Sequence, residues 1–484
     1  MRKFAFALAA ILAASTVASC GGAPSAVNDT QSASDTTASP AEQAYPYYGD
    51  TDFGGKTFKI LNVKYDLWNM MPQIMPEEQN GETVNDALWN RNVKVMEELN
   101  FVLEEEHHET YDELANDLNQ LIMAGDDVYA AAYVPLHKIL AGLTGGYYQK
   151  LGDVSTIHLE ESYWDQTFLK ASSIDGDNYF ATGSAHLMIN SGMWMLFFNE
   201  DMMEANKLTY PYDLVREGKW TLDAMRTYTK AVANLNGDDA FGKDSDGNAI
   251  YGFISFANVI PKFIYASGAE YVTKDKNGEL VINCNSMKFV ETCQKLAEFF
   301  GTQGEVFMAS SDSTLNTYYQ LYFEKQKCLF FGGELKTASL LRNMEQSFGI
   351  IPIPKIDESQ SAYYVTSVHQ CPAFVIPVTN AKPEDIGLIF DALSYESEAT
   401  VLEPYFSEYV EQKGLRNEDS IEMLEIIKSS RSYDIGVVYG WINTLETALK
   451  TAIQEGNTDI TSTIAANESS ITESLNKMLE AFRD

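Results

Sequence analysis

The chain has 484 residues, and its 69 acidic against 34 basic side chains give a formal net charge of −35 at pH 7. This acidic balance argues against nucleic acid or an anionic membrane surface as an electrostatic partner. The cysteines show no CxxC spacing, so neither a disulfide scaffold nor a zinc knuckle is predicted, although one Cys284–Cys293 bridge stays open.

The N-terminus has the pattern of a secretory signal. A basic "MRK" precedes an apolar run over residues 4–14, which is too short to span a bilayer as a helix. The run ends in "VASCG", which resembles the lipobox of bacterial lipoproteins. The resemblance implies removal of residues 1–19 and lipid attachment at Cys20. The alternative is an ordinary signal peptide with a chance cysteine.

The next segment is polar and built from small residues. From Gly21 it reads "GGAPSAVNDTQSASDTTASPAEQAY", which lacks the large apolar side chains that a folded core needs. We therefore predict that residues 20–50 are a lipidated cysteine and a flexible tether. The protein would then lie outside the cytoplasm, anchored to the bacterial cell membrane. About 430 residues remain, which is long for one core and favours two lobes.

The first folded region alternates strand and helix. Residues 56–63 and a run beginning at Phe101 predict strands, and the apolar residues 128–134 predict a third strand covered on both faces. A helix begins at Thr83, with Asp86 as an approximate capping box, and another covers residues 112–124. This order favours a parallel sheet with right-handed crossovers.

In such sheets, ligands bind beyond the carboxyl ends of the strands. After the first strand the sequence places Tyr65, Asp66 and Trp68 there, and the third strand ends at Tyr133, Pro135 and His137. Aromatic rings that stack on a sugar, with a carboxylate that binds hydroxyls, suit a neutral polyhydroxylated ligand. Core packing is the alternative role for each of these aromatic residues.

A second region begins near Asp175. Two strands with a turn and a helix are predicted first, with the apolar part of the second strand at residues 193–198. Thr221 should cap a helix, and residues 251–256 should form a strand. Between them, "GKDSDGNAIYGF" spaces its aspartates like a calcium loop. Because the first and twelfth positions are Gly242 and Phe253, we expect a polar turn without a metal.

The sequence offers little sign of catalysis. It has no GxSxG, HExxH, Walker A or GxGxxG motif. In "EEEHHET", Glu104, Glu106 and His108 could share one face of a strand and meet a metal, but an exposed strand edge or loop is the favoured interpretation. We therefore expect neither an enzyme nor a metal or other cofactor. The alternative is a surface glycan-binding lipoprotein or a glycoside hydrolase that serves no importer.

Several short motifs in order resemble the solute-binding proteins of bacterial ABC importers, in the sugar-binding family that includes maltose-binding protein. They are "NED" at 199–201, "GKWTLD" at 218–223, "YGF" at 251–253, "FIYASGAEYV" from Phe263, "YFEKQKCLFFGGE" from Tyr322 and "FGIIPIPK" from Phe348. The resemblance spans about residues 54 to 450. It implies a type II periplasmic-binding-protein-like α/β fold, in which crossing segments join two lobes, each a mainly parallel sheet flanked by helices.

By position, the resemblance implies a first lobe at 51–178 and 358–398 and a second at 179–357 and 399–484. It implies ligand contacts near Tyr65, Asp66, Tyr133, Ser184, His186, Glu334 and Trp441, to which the sheet argument adds Trp68. Glu334 replaces an aromatic residue of some sugar binders, and Trp220 is expected in the core. The implied partners are a small solute, most simply a carbohydrate, and the ABC permease that receives it from a monomeric receptor.

Overall fold

The structure, a computed structural model, describes residues 45–64, 73–241, 247–302, 304–309, 322–367, 371–407, 415 and 417–481. The strands are Lys56–Val63 (β1), Phe101–His108 (β2), Ala131–Pro135 (β3), Trp194–Asn199 (β4), Tyr251–Phe256 (β5), Val272–Lys274 (β6), Leu280–Ile282 (β7), Val306–Ala309 (β8), Cys328–Glu334 (β9), Phe348–Ile351 (β10) and Pro372–Val375 (β11).

Helices cover both sheets. They are Thr83–Leu99 (α1), Tyr111–Ala124 (α2), Ile139–Thr144 (α3), Gln166–Ser172 (α4), Met188–Ser191 (α5), Glu200–Ala205 (α6), Tyr212–Arg216 (α7), Leu222–Val232 (α8), Val259–Ala266 (α9), Met287–Phe300 (α10), Thr337–Leu340 (α11), Pro383–Thr400 (α12), Leu402–Pro404 (α13), Glu418–Ser429 (α14), Ile435–Val438 (α15), Asn443–Gln454 (α16), Ile460–Ala465 (α17) and Glu468–Ala481 (α18). Short 3₁₀ turns lie at Leu136–Lys138, Leu151–Asp153 and Leu341–Asn343.

The first sheet has the order β11-β3-β1-β2 and is the core of the first lobe. β1 runs parallel to β2 and β3, and β11 runs antiparallel beside β3. The strands predicted at 56–63 and from Phe101 are confirmed, whereas the third is shorter than predicted and begins at Ala131. Because β1, β2 and β3 point the same way, their carboxyl ends form one edge.

The second sheet has the order β10-β4-β9-β5-β8 and is the core of the second lobe. β4 runs antiparallel to β9 and β10, while β5 runs parallel to β8 and β9. The amino end of β4 therefore joins the carboxyl ends of the other strands at one edge. The strand predicted before β4 does not form, because residues 173–187 make only isolated bridges and α5 follows them.

Local sequence explains most helix boundaries. At α2, the Thr110 hydroxyl accepts from the Glu113 N–H and the Glu113 carboxylate accepts from the Thr110 N–H, which is a complete capping box. The capping box expected at Asp86 does not form. Glu82 precedes α1 instead, and the Asp86 carboxylate accepts from the N–H groups of Asn80 and Gly81.

Trp220 lies in the core, as predicted. Its indole Nε1–H donates to the Pro352 carbonyl at 3.0 Å, and its ring packs against Phe330 of β9. Thr221 caps α8 through the Ala224 N–H, which confirms the predicted helix start. The Gly-Lys-Trp-Thr motif thus sets the entry of α8 into the second lobe, with its tryptophan packed in the core.

One buried carboxylate ties the beginning of the described chain to the first lobe. Asp391 of α12 accepts hydrogen bonds from Tyr45, Tyr163 and Trp164 side chains, all between 2.7 and 2.8 Å. The backbone N–H and Nδ1 of His158 complete its partners, at 3.0 and 2.8 Å. Five donors on one carboxylate compensate for the cost of burying its charge.

Candidate functional site

The carboxyl edge of the first sheet carries a buried polar cluster. Near the end of β1, Asn62 donates from Nδ2 to Glu105 Oε1 at 2.8 Å, and the same nitrogen lies 3.4 Å from His186 Nε2. The other carboxylate oxygen of Glu105, Oε2, is buried and has no hydrogen-bond partner among the described residues. This edge is therefore largely satisfied internally, with one acceptor left open.

His186 is buried and neutral at physiological pH. Its Nδ1 accepts from the Met188 N–H at 3.2 Å, and its ring lies 4.7 Å from the Tyr133 ring. Burial, with a smaller contribution from the Arg91 charge, lowers the pKa of His186 to about 3. The imidazole can thus orient neighbouring groups and packs under the edge without adding charge.

Arg91 of α1 anchors the segment that carries His186. Its guanidinium is buried and donates to the carbonyls of Ala185 and Ile74, at 3.0 and 2.6 Å. It also donates to the Ser397 hydroxyl of α12 at 2.7 Å and to the Asn92 side chain. Burial lowers the pKa of Arg91 to about 10, so the guanidinium stays charged at neutral pH. Sequence reasoning missed this residue.

The carboxyl edge of the second sheet is different in kind. Trp194 begins β4 directly opposite Glu334 at the end of β9, and its ring centroid lies 5.4 Å from that of Phe256 at the end of β5. Glu334 pairs with Lys336 at 3.3 Å. The indole Nε1–H of Trp194 is buried and has no acceptor among the described residues.

The chain brings these two edges together. Between His186 and Trp194, residues 187–193 cross from the first lobe to the second. The returning segment runs alongside, because the Trp194 N–H donates to the Thr366 carbonyl at 3.1 Å. The Ser191 carbonyl in the first crossing accepts from the Lys336 N–H at 3.0 Å. The Ser191 hydroxyl has no partner in the described chain. The two edges are therefore joined through residues 187–193 and the returning segment.

A groove of about 720 Å³ lies beside the crossings. First-lobe residues such as Trp164 and Asp165 line one side, and Arg431, which follows α14, lines another. Arg431 donates to Asp165 and to Asn190 of the crossing, both at 3.1 Å, and Tyr433 donates to Asp165 at 2.8 Å. These bonds join the two lobes beside the crossings, and Ser184 also lines the groove.

The structure places the predicted site residues unequally. Tyr65, Asp66 and Trp68 lie outside the described residues, as does Cys20. Tyr133 is buried and packs on Phe374 and Phe390, so its side chain points into the face of the sheet rather than beyond its edge. Ser184 and His186 lie together at the crossing. As contact residues, all eight stay predictions.

Glu334 and Trp441 both belong to the second lobe. Glu334 lies at the end of β9, at the strand edge described above. The Trp441 ring is buried and stacks on the Tyr439 ring, with centroids 4.9 Å apart. Its Nε1–H has no acceptor among the described residues. Glu334 therefore lies at an edge of the second sheet and Trp441 lies beneath the surface with an open donor, while their roles as ligand contacts stay predictions.

The metal alternatives find no support in the described chain. Residues 242–246 of the calcium-like loop lie outside it, and no group of three potential metal ligands occurs within it. Glu106 accepts from the Tyr129 hydroxyl at 2.8 Å and pairs with Lys59, while His108 pairs with Asp117. The acidic and histidine side chains of β2 therefore have local partners.

The cysteines of the described chain form no disulfide, including the Cys284–Cys293 pair that the sequence left open. Cys284, Cys293, Cys328 and Cys371 are all free and buried. Burial raises the pKa of the Cys284 thiol to about 11, so it is protonated at neutral pH and unreactive. Cys284 and Cys293 do not form a bridge.

No protein-family model and no curated protein sequence matches the chain, but solved structures do. An ABC substrate-binding protein from Listeria monocytogenes, in complex with cycloalternan, has a TM-score of 0.56 at 10% identity and covers 87% of this chain and 99% of its own. A solute-binding protein from Thermotoga lettingae, bound with α-D-tagatose, has a TM-score of 0.56 at 12% identity, covering 88% and 100%.

A third structure agrees with these two. A cyclo/maltodextrin-binding protein complexed with maltotetraose has a TM-score of 0.55 at 14% identity, covering 88% of this chain and 96% of its own. The fold is that of the two-lobed ABC solute-binding proteins. The predicted fold class is thereby confirmed, while the predicted lobe boundaries stay predictions. Within the described part of the solute-binding fold, no helix is long and apolar enough to cross a membrane.

Proposed function

We propose that this protein is a solute-binding receptor that captures a sugar or oligosaccharide between its lobes and delivers it to an ABC importer. One observation carries the proposal. The carboxyl edges of both sheets meet at one chain crossing, and both bear buried polar atoms without partners among the described residues, namely Glu105 Oε2, Ser191 Oγ and Trp194 Nε1. Neutral sugars present many hydroxyls, each of which both donates and accepts a hydrogen bond.

The fold-sharing proteins support the ligand class. Their bound molecules are cycloalternan, tagatose and maltotetraose, all carbohydrates. On this chain, an open acceptor at the first edge and open donors at the second would engage hydroxyls from opposite sides. The partly exposed Phe256 ring, held against Trp194, adds an apolar face for sugar C–H groups.

Capture follows from the two-lobed design. A ligand that touches both edges stabilises the closed form, because only that form makes both sets of contacts. The two hydrogen-bonded crossings at Trp194 and Thr366 would act as the hinge. The closed receptor would dock on a permease, which is a separate chain, and release the sugar there without chemical change.

The membrane anchor is part of the proposal. The "VASCG" sequence supports lipidation of Cys20, which would hold the receptor outside the cytoplasm close to its permease. Expression of the full chain and of Cys20→Ser in a bacterial host tests this. The wild-type protein should partition into the detergent-soluble membrane fraction and the variant into the aqueous fraction. Equal partitioning of the two would contradict the anchor.

Sugar capture is tested by a thermal-shift screen of the mature protein against mono- and oligosaccharides, followed by calorimetry. A ligand that binds only the folded state raises the unfolding midpoint, and the shift grows with the logarithm of the ratio of ligand concentration to Kd. Small-angle scattering should show compaction with the same sugar. The receptor proposal fails if no saccharide shifts the midpoint, or if labelled oligosaccharides are hydrolysed at a measurable rate.

A further inference from the structure

A lysine lies buried at the carboxyl edge of the second sheet. Helix α9 follows β5 there, and every residue of this helix is buried, including Lys262, whose exposure is only 5%. A lone lysine within "VIPKFIYA" is unusual, since lysine is almost never fully buried without a partner. The position of α9 after the Phe256 end of β5 puts this lysine on the cleft side of the second lobe.

The Lys262 ammonium has no direct counter-ion. It makes no hydrogen bond and no ion pair with any residue in the described ranges. Its charged neighbours are Glu446 of α16 and Glu334 of β9, which act on it at a distance. Burial is the largest cause of the shift in the pKa of Lys262. It lowers this pKa because the ammonium is withdrawn from water.

Local charge favours an anion at this position. Glu334 is already paired with Lys336 at 3.3 Å, and Lys450 of α16 adds a further ammonium near Glu446, where it binds the Asn258 side chain at 3.3 Å. Burial raises the pKa of Glu446, which weakens it as a counter-ion. Among the residues that the structure describes, three ammonium groups thus lie near two carboxylates, in a chain whose overall charge is −35.

The Trp194 indole N–H also favours an anionic ligand. The Trp194 indole N–H, opposite Glu334, is a donor that cannot accept, and it is open. An unpaired buried ammonium is costly, and a neutral hydroxyl supplies a hydrogen bond but no opposite charge. A ligand carboxylate supplies both, and its second oxygen can accept from a neighbouring N–H group.

We propose that the saccharide captured in this cleft carries a carboxylate, as a hexuronate residue does, and that Lys262 binds this group. The inference rests on the proposed function and specifies its ligand class. Binding of the acidic sugar would complete the charge balance at the carboxyl edge of the second sheet. The receptor would then distinguish uronate-containing saccharides from neutral ones of the same shape.

Calorimetry with matched pairs of sugars tests the inference. Glucuronate and galacturonate, and their oligomers, are compared with glucose, galactose and the corresponding neutral oligomers. We expect at least one acidic member to bind the wild-type protein tenfold or more tightly than its neutral counterpart. In Lys262→Met that preference should disappear, while in Lys219→Met, which removes an exposed lysine from a helix-entry turn, it should persist.

The outcomes separate the inference from the proposed function. If neutral sugars bind as tightly as acidic ones, or if Lys262→Met keeps the preference, the inference is wrong and the sugar receptor stands. If no saccharide of either kind binds, the proposed function itself is wrong. A second readout uses the unliganded protein, where Lys262→Met should raise the unfolding midpoint because it removes an uncompensated charge. A lowered midpoint would mean that the ammonium has a structural partner.

Discussion

The two carboxyl edges that meet at the hinge differ in how completely they are satisfied. At the first edge, which we call the closed edge, Asn62 lies within hydrogen-bond distance of His186, and Arg91 donates to the Ala185 carbonyl beside it. Oε2 of Glu105 is left without a partner among the described residues there. At the second, the Trp194 indole N–H has no acceptor in the described chain, and the Lys262 ammonium feels Glu446 and Glu334 only through charge. A network that is closed on itself gives rigidity, whereas unused donors indicate ligand recognition.

The largest effect is expected at the closed edge. Arg91→Met should lower the free energy of unfolding by about 3 kcal/mol, because it leaves the buried carbonyls of Ala185 and Ile74 with fewer donors. Urea denaturation measures this change. The matched control is Arg216→Met, an exposed arginine with ion pairs to Asp213, Asp419 and Glu422, which should change stability little. Equal effects of the two would show that the Arg91 network contributes no more to stability than an exposed ion-pair network.

His186 should give the closed edge a pH dependence. Its folded pKa, about 3, lies below the unfolded value of about 6.5, so the unfolded chain takes up the proton first as pH falls. The contribution of neutral His186 to the free energy of unfolding is therefore present above pH 6.5 and is lost as pH falls toward 3. The loss between pH 6.5 and pH 5 is about 2 kcal/mol. Arg91, Glu105 and Tyr133 are the ionisable groups beside it.

Comparison with His186→Gln isolates this contribution from all other titrations. The difference in unfolding free energy between the wild-type protein and the variant should shrink by about 2 kcal/mol from pH 7 to pH 5. Urea melts at the two pH values measure it. A difference that is independent of pH would show that His186 titrates normally, and that the closed edge admits water.

The smallest effects are expected from two tryptophan variants. Trp194→Phe keeps a ring against Phe256 but removes the unpartnered N–H, so sugar affinity should fall about tenfold. Trp220→Phe makes the same change in size at another buried position and should leave sugar affinity unchanged. Because it also loses the bond to the Pro352 carbonyl, it should cost about 1 kcal/mol more stability than Trp194→Phe. The opposite pattern would reverse the assignment of the two edges.

Sequence pattern predicted much of this architecture, because β1 is an apolar run that is buried over its last four residues and α2 buries residues at helix spacing. It could not reveal contacts between distant positions, such as the bond from Tyr45 to Asp391 across 346 residues. Tyr133 shows the limit for the site, since a strand that ends at the correct edge can still turn its aromatic side chain into the core. Lys262 did leave a signal, a single charge within an apolar helix, which was overlooked.

The hydrogen bonds to buried Asp391 also determine which lobe bears a force applied at the N-terminus. Tyr45 and Tyr47 are fixed to the first lobe, the former through Asp391 and the latter by stacking on His158 with centroids 3.6 Å apart. Both residues fall within the stretch that the sequence analysis assigned to the tether. In a receptor held from its N-terminus, a pulling force would therefore be transmitted to α12 of the first lobe. The second lobe would move relative to the anchored first lobe, so that opening and closing would put no force on the anchor.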